Sequence, residues 1–543
     1  MTGSLGRIAV DVSPASTNVL YASVGNNTSG TLGTNGIFVS DNYGSNWRKL
    51  LNKNDADSNY LYQQPWFANA IAAYPANAKI AIAGGLNVVR TADSGKSLST
   101  IGQAGSNIHA DIHNIIYNGA TNLYVCHDGG LSYSKSNGNA WFHTVNNGLA
   151  TLEFVGVDAD KDFTFVLGGT QDNGTNRAYI NDPTFLEANG GDGGRTWISP
   201  TDSNICFTTQ YEESFFRSLG AGRNNTWQKV TVSSPCPFYP RYDADEKGEV
   251  IALGASSKIV VSRDGGVDGF AQKSVQTINN SRAVRVFPTN YDLMWAGSGT
   301  TLWRSTDGGV NFAKITVPSA GSITDIEIDP LNSQNLWICT QGYSTTKTTV
   351  FKSTDGGATV TAIPNFPKLL GCNAIVRQHS SGRLFVGTDR GVIFTEDNGE
   401  NWYALPDGMP NVPVNSMKIK GADNDKLLAG TYGRGMFWLN LKDLPTIGVR
   451  ETKTASEVIR FVSTYPNPVK GNKATITFEM KEAGIMTSTL LDVMGREVKM
   501  LEKAPYSAGT NQFDLTTDGL VAGTYIVLLT ANGTTVSERI IVN

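Results

Sequence analysis

Short apolar runs broken by glycine and by Asp, Asn and Ser recur along most of the chain, a pattern that predicts many short strands joined by tight turns. One arrangement repeats. It is an apolar strand with a Leu-Tyr-like start, a glycine, a second strand, and then Ser/Thr-x-Asp-x-Gly-x-x-aromatic. Clear copies of this closing box are Ser40 to Trp47, Thr91 to Leu98, Ser305 to Phe312, Ser353 to Val360 and Thr395 to Trp402. Degenerate copies are Ser134 to Trp141, Ser262 to Phe270 and Arg217 to Trp227. The strand taken to open each unit recurs ten times, from NVLYASVG through KIAIAGG, NLYVCHDGG, FTFVLGG, NICFTTQ, EVIALGA, LMWAGSG, NLWICTQG and RLFVGTD to KLLAGTYG. A period of about 43 residues with several strands per unit is the mark of propeller blades.

The chemistry of the box is that of a turn. An Asp or Asn side chain accepts hydrogen bonds from nearby backbone N–H groups, glycine takes positive φ, and the aromatic packs beneath. Box carboxylates are therefore expected to hold the fold. The spacing lacks the further Asp and Glu ligands of an EF-hand loop.

On these boxes the chain resembles the Asp-box (BNR) repeat proteins, a group that includes sortilin-type propellers, sialidases and xyloglucan-cleaving glycosidases. The resemblance covers residues 1–440 and implies an all-β fold of about ten Asp-box units, closed as one large ring or as two smaller ones. The longer first interval, Asn54 to Trp66, favours two arrays, the first lacking blades at its N-terminus. The group mixes binders and hydrolases, so the repeats define a scaffold and leave function open.

Residues 441–460 (LKDLPTIGVRETKTASEVIR) carry no box and read as a linker. Residues 461–543 return to short alternating strands of the size of a small Ig-like β-sandwich. This block resembles the type A sorting domain of type IX secretion in Bacteroidetes-like bacteria. The matching residues are Tyr465-Pro466-Asn467-Pro468, Leu491 to Val498, Gly509-Thr510-Asn511 and Leu520 to Leu528. The resemblance implies export by the type IX machinery, commonly with removal of this domain, and a secreted or cell-surface passenger. The first residues show no charged n-region followed by an apolar stretch, so a trimmed form or fragment is expected.

Composition narrows the partners. A net charge of -4 with pI near 5.8 offers no broad basic field, so nucleic acid is not expected. The most apolar segment, Leu520 to Ala531, is shorter than the roughly 18 to 20 residues a membrane helix needs. Cys126, Cys206, Cys236, Cys339 and Cys372 are scattered and odd in number, which argues against a disulfide scaffold.

Candidate chemistry sits away from the boxes. In Ile108-His109-Ala110-Asp111-Ile112-His113, period-two alternation would put His109, Asp111 and His113 on one strand face, where they could bind a divalent metal. The alternative is a solvated strand lining a propeller channel. The segments His127-Asp128-Gly129-Gly130, Gln171-Asp172-Asn173-Gly174 and Gly190-Gly191-Asp192-Gly193-Gly194 place carboxylates beside glycines that let a ligand approach closely. Asp111, Gln171, Asp172, Asn173 and Asp192 are the ligand-binding candidates. Trp66, Tyr62, Tyr239 and Tyr242 are candidate glycan platforms, although propeller aromatics more often pack.

A glycosidase needs two carboxylates facing each other across a sugar. Asp172 and Asp192 are the catalytic candidates for that case, with Asp111 beside them. No Arg-Ile-Pro element is present for a sialidase. The expectation is a propeller binding a glycan or a protein, with a xyloglucanase-like glycoside hydrolase as the alternative.

Overall fold

The computed structural model describes residues 5–26, 33–50, 59–319, 321–405, 408–444, 458–469, 471–492, 496–532 and 534–542. Met1 to Ser4, Asn54, most of the expected linker and the Val493-Met494-Gly495 part of the sorting motif lie outside them. The chain forms two compact units, Met1–Val317 with Val412–Met417 and Ala429–Met436, and Pro318–Asn411 with Lys418–Leu428 and Phe437–Asn543.

Ahead of the C-terminal block the described strands make ten antiparallel sheets, eight of four strands and two of three, each a meander in chain order. This is the propeller-type, all-β fold expected from the repeat. The recurring strand taken to open each unit is in fact the second strand of its sheet, as in Leu20–Asn26, Ala81–Gly84, Asn122–His127 and Phe165–Thr170. A less patterned strand precedes it, as in Leu5–Val12, Ala70–Ala73, Ile112–Asn118 and Phe154–Ala159.

The first strands of the first and second, second and third, fourth and fifth, sixth and seventh, and eighth and ninth sheets touch, and in four of these contacts an aspartate side chain ties one sheet to the next. Asp11 Oδ2 accepts from Ala73 N at 2.8 Å, Asp158 Oδ2 from Ile198 N at 2.8 Å, Asp243 Oδ2 from Val286 N at 3.1 Å and Asp325 Oδ2 from Ile375 N at 3.2 Å. A charged acceptor on a backbone donor is worth about 1.5–3 kcal/mol. Apolar clusters fill the space between sheets. Tyr21, Ile37 and Val39 of the first sheet meet Ile71, Ala81, Ala83 and Val89 of the second, and Phe207 and Phe215 of the fifth meet Ile251 and Leu253 of the sixth.

The boxes lie between the third and fourth strands of their sheets, and their hydrogen bonds repeat. Ser305 Oγ accepts from Gly309 N at 2.9 Å while Asp307 Oδ1 accepts from Asn311 N at 2.9 Å. Ser353 with Gly357 (2.8 Å) and Asp355 with Thr359 (2.8 Å) make the same pair, as do Thr395 with Gly399 (2.9 Å) and Asp397 with Asn401 (2.9 Å). The degenerate box at Ser134 keeps it too, with Ser136 Oγ replacing the carboxylate as acceptor for Ala140 N at 3.0 Å.

Within the first unit, Val157 N donates to Ser416 Oγ at 3.2 Å and Asn415 Nδ2 to Phe154 O at 3.1 Å, so the fourth sheet's first strand lies beside a segment of the tenth.

The C-terminal block packs a three-stranded sheet against a four-stranded one around Ile476, Phe478, Met486, Leu490, Val527, Leu529 and Ile540. All five cysteines are free thiols.

Candidate functional site

In an antiparallel meander, successive turns fall at alternate ends of the sheet. The turn between second and third strands, and the link from the fourth strand to the next sheet, therefore lie at the end opposite the boxes. Asp128 occupies such a second turn after Asn122–His127, Asp172 another after Phe165–Thr170, and Asp192 the link between Asp182–Asn189 and Thr196–Ile198.

The glycines bring these together. A Cβ on Gly169 would strike the Gly194 carbonyl, and one on Gly193 would strike the Gly174 carbonyl, so the Gly-rich link presses backbone to backbone on the Phe165–Tyr179 hairpin. Gly174 N then donates to Gly191 O at 2.8 Å, and Asp172 N to Asp192 Oδ1 at 2.9 Å. Burial, the Asp192 carboxyl and the charges of Asp128 and Asp111 push the Asp172 carboxyl up to about 8, so the pair holds a proton at neutral pH.

His109, Asp111, Asp172, Asn173, Glu187 and Asp192 line an open cleft of about 520 Å³, with Phe185 and Tyr211 on its wall. Among its lining residues only His109 is basic. His109 Nε2 donates to the Asp172 carbonyl at 2.9 Å, and its ring stacks on His127 at 5.6 Å. Burial raises Asp111, and the Asp128 charge adds to this. Both Asp111 and Asp172 hold a left-handed backbone, with φ of 64° and 61°.

The expected metal face is not formed. The strand begins at Ile112, and the positive φ of Asp111 breaks the period-two alternation that would have aligned the three side chains. His109 turns to the Asp172 carbonyl, Asp111 accepts from Gln64 Nε2, and His113 Nε2 pairs with Asp128 Oδ1 at 2.6 Å. Among the described residues no group of three His, Cys, Asp or Glu side chains is placed to share a metal ion.

Of the ligand-binding candidates, Asp111, Asp172, Asn173 and Asp192 line the cleft and Gln171 does not. Asp172 and Asp192, the catalytic candidates, both line the cleft, with one Asp192 oxygen turned to the Asp172 backbone N–H.

Among the aromatic candidates, Tyr242 is buried and donates to Phe207 O at 2.8 Å. Trp66 and Tyr62 are exposed, and Tyr239 is half-buried. Glu187, Asn176, Phe185 and Tyr211 were missed by sequence reasoning. Glu187 stands only five positions before Asp192, but nothing in its strand marks it as facing a cleft.

Residues 463–543 match the family described as the secretion system C-terminal sorting domain. That domain indicates export through type IX secretion, to the cell surface or the medium. The chain is 25% identical over 270 residues to a xyloglucanase of Hypocrea jecorina (strain QM6a), covering 45% of this chain and 30% of that protein. It is 28% identical over 260 residues to a xyloglucanase of a Paenibacillus species, covering 43% of this chain and 23% of that protein. The matches span less than a third of either relative's length. Among solved structures, YCF48 from Cyanidioschyzon merolae aligns with a TM-score of 0.41 at 13% identity, covering 53% of this chain and 95% of that one. The WD40 β-propeller domain of Doa1 aligns with a TM-score of 0.41 at 10% identity and the same coverage. Among the described residues no helix is long and apolar enough to cross a membrane.

Proposed function

We propose that this chain is an exported propeller of the Asp-box (BNR) group that binds a neutral polysaccharide in the cleft around Asp172 and Asp192. The observation carrying this reading is the lining itself. Carboxyl oxygens and the Asn173 and Asn176 amides stand beside the rings of Phe185 and Tyr211, with no Lys or Arg. Sugar hydroxyls donate to such acceptors and the C–H faces of a pyranose stack on such rings, whereas an anionic sugar would meet repulsion. The partial xyloglucanase similarity favours a β-glucan backbone as ligand.

A second reading, glycoside hydrolysis, is favoured by the same similarity and by a carboxyl group held protonated, the property of a general acid. In it Asp172 is the acid, and the opposing carboxylate is Asp192, Asp111 or Glu187, which line the same cleft.

Calorimetry of the full chain with xyloglucan and cellulose oligosaccharides, alongside reducing-sugar release, separates the readings. Binding weakened at least tenfold by Tyr211→Ala and by Asp172→Ala/Asp192→Ala supports the site. Turnover abolished by Asp172→Asn with binding retained establishes hydrolysis. Binding unchanged in all variants, or seen only with a protein ligand, overturns the glycan reading.

A further inference from the structure

On the side of the fifth sheet the wall of the cleft continues beyond the cleft itself. Tyr211 lies in that sheet's second turn, between Cys206–Thr209 and Phe215–Ser218, and lines the cleft. Phe238 lies in the link from Trp227–Val230 to Tyr242–Ala244 of the sixth sheet, outside the lining. The two rings are stacked, with centroids 6.1 Å apart and planes at 26°. Tyr211 is 43% and Phe238 50% exposed.

Several bonds hold this pair in place. Gln210 N donates to Ser214 O at 2.8 Å and closes the turn that carries Tyr211, while Glu212 N donates to Phe238 O at 3.0 Å and ties turn to link. Cys236 N donates to Glu213 Oε1 at 2.9 Å, a second tie between the same two segments. The pair is also fixed against the carboxyl groups. Gln210 Nε2 donates to Gly190 O in the link that carries Asp192. The Phe238 ring meets Tyr239 edge-on at 4.8 Å, and a Cβ on Gly194 of the same link would lie 3.2 Å from the Tyr239 ring.

Single apolar residues on a surface are ordinary. Two adjacent aromatic rings left open on a braced turn, one of them in the wall of a cleft, are a preformed surface for a ligand with apolar faces. The cleft limits what that ligand can be. Its volume of about 520 Å³ is that of a site for one small molecule, and it is open. A ligand that ends inside it leaves Phe238 in water. A sugar chain, which presents a C–H face at each residue, runs out past Tyr211 and meets Phe238 next.

We propose that Tyr211 and Phe238 form a second place of contact for the sugar chain, so that the ligand is a polysaccharide held along its length rather than a mono- or disaccharide. This rests on the glycan reading of the cleft and adds to it the length of the ligand and the residue that senses that length.

The test is calorimetry of the full chain with cellobiose and with cellohexaose. The wild type is expected to bind cellohexaose at least tenfold more tightly than cellobiose. Phe238→Ala is expected to lose most of that gain while its affinity for cellobiose stays within about twofold, and Phe238→Tyr, which keeps the ring, is expected to retain it. Tyr291→Ala removes a ring that is 45% exposed at the box end of the seventh sheet, and is expected to change neither affinity. Should Phe238→Ala lower the unfolding temperature, Phe238→Leu keeps an apolar side chain without the flat face and carries the same expectation. A cellohexaose affinity no greater than that for cellobiose, a gain that survives loss of the Phe238 ring, or an equal loss for both sugars overturns the proposal and leaves the cleft standing as a glycan site. Absence of binding of either sugar to the wild type overturns it together with the β-glucan reading on which it rests.

Discussion

Two sets of aspartate–glycine turns occupy opposite ends of their sheets, and Asp355 in one and Asp172 in the other behave in opposite ways. In the boxes the carboxylate faces donors. Asp355 receives Thr359 Oγ1 at 2.6 Å and Thr359 N at 2.8 Å, and these bonds hold it down to about 2. Asp307, bonded to the Asn311 backbone and side chain, is likewise held low. At the other end Asp172 faces burial and other carboxyl groups, and is pushed up to about 8. The local sequences are alike, Asp355-Gly356-Gly357 against Asp172-Asn173-Gly174. What separates them is whether the turn satisfies its own carboxylate or leaves it crowded by neighbours from other turns. The first arrangement holds the fold, and the second leaves polar groups unspent for a ligand.

The sharpest way to break this contrast is to separate the crowded pair. Gly169→Ala drives a methyl into the Gly194 carbonyl, so it should cost about 1–3 kcal/mol and displace Asp192 from Asp172. Chemical denaturation measures the cost, and glycan calorimetry measures the displacement. On the box side Ser305→Ala strands the buried Gly309 N–H, with an expected loss of about 1–2 kcal/mol and unchanged glycan binding. Asp172→Asn should carry the opposite sign, neutral or stabilising above neutral pH, because it removes carboxyl crowding while keeping the shape. A lowered unfolding temperature in that variant would contradict the account.

The contrast also predicts opposite pH dependences. For Asp355, lowered in the fold, the stabilising contribution is present above the unfolded value near 4 and is lost as pH falls through about 2. For Asp172, raised in the fold, it is present in full below about 4 and is lost as pH rises through about 8. Unfolding temperatures across pH should therefore change in the acid range with Asp355→Asn and between about 4 and 8 with Asp172→Asn.

What the sequence discloses follows the range of the interactions. The box is local, its bonds running from Ser353 to Gly357 and from Asp355 to Thr359, so its spacing alone announces it. The ten sheets follow from the ten recurrences of the strand that accompanies it, and the sorting domain from ordered motifs. The Asp11, Asp158, Asp243 and Asp325 ties recur near the same place in their repeats and were legible in principle, but one Asp in an apolar strand draws no attention until its partner in another sheet is seen. The cleft depends on contacts between turns. Asp172 and Asp192 were legible as candidates, whereas their contact across twenty positions, and Tyr211 and Glu187 beside them, required the fold. The histidine face failed for a backbone reason, since alternation presumes an extended Asp111 and that residue is left-handed.

The central claim is that crowding at Asp172 and Asp192, absent from the boxes, marks the ligand site. Its most direct test is a ¹³C-carboxyl titration of the full chain labelled at aspartate, with Asp172→Asn and Asp355→Asn supplying the assignments. The account predicts that the resonance lost in Asp172→Asn titrates far above the ordinary aspartate value of about 4 and that the one lost in Asp355→Asn titrates below it. Ordinary values for both would contradict it.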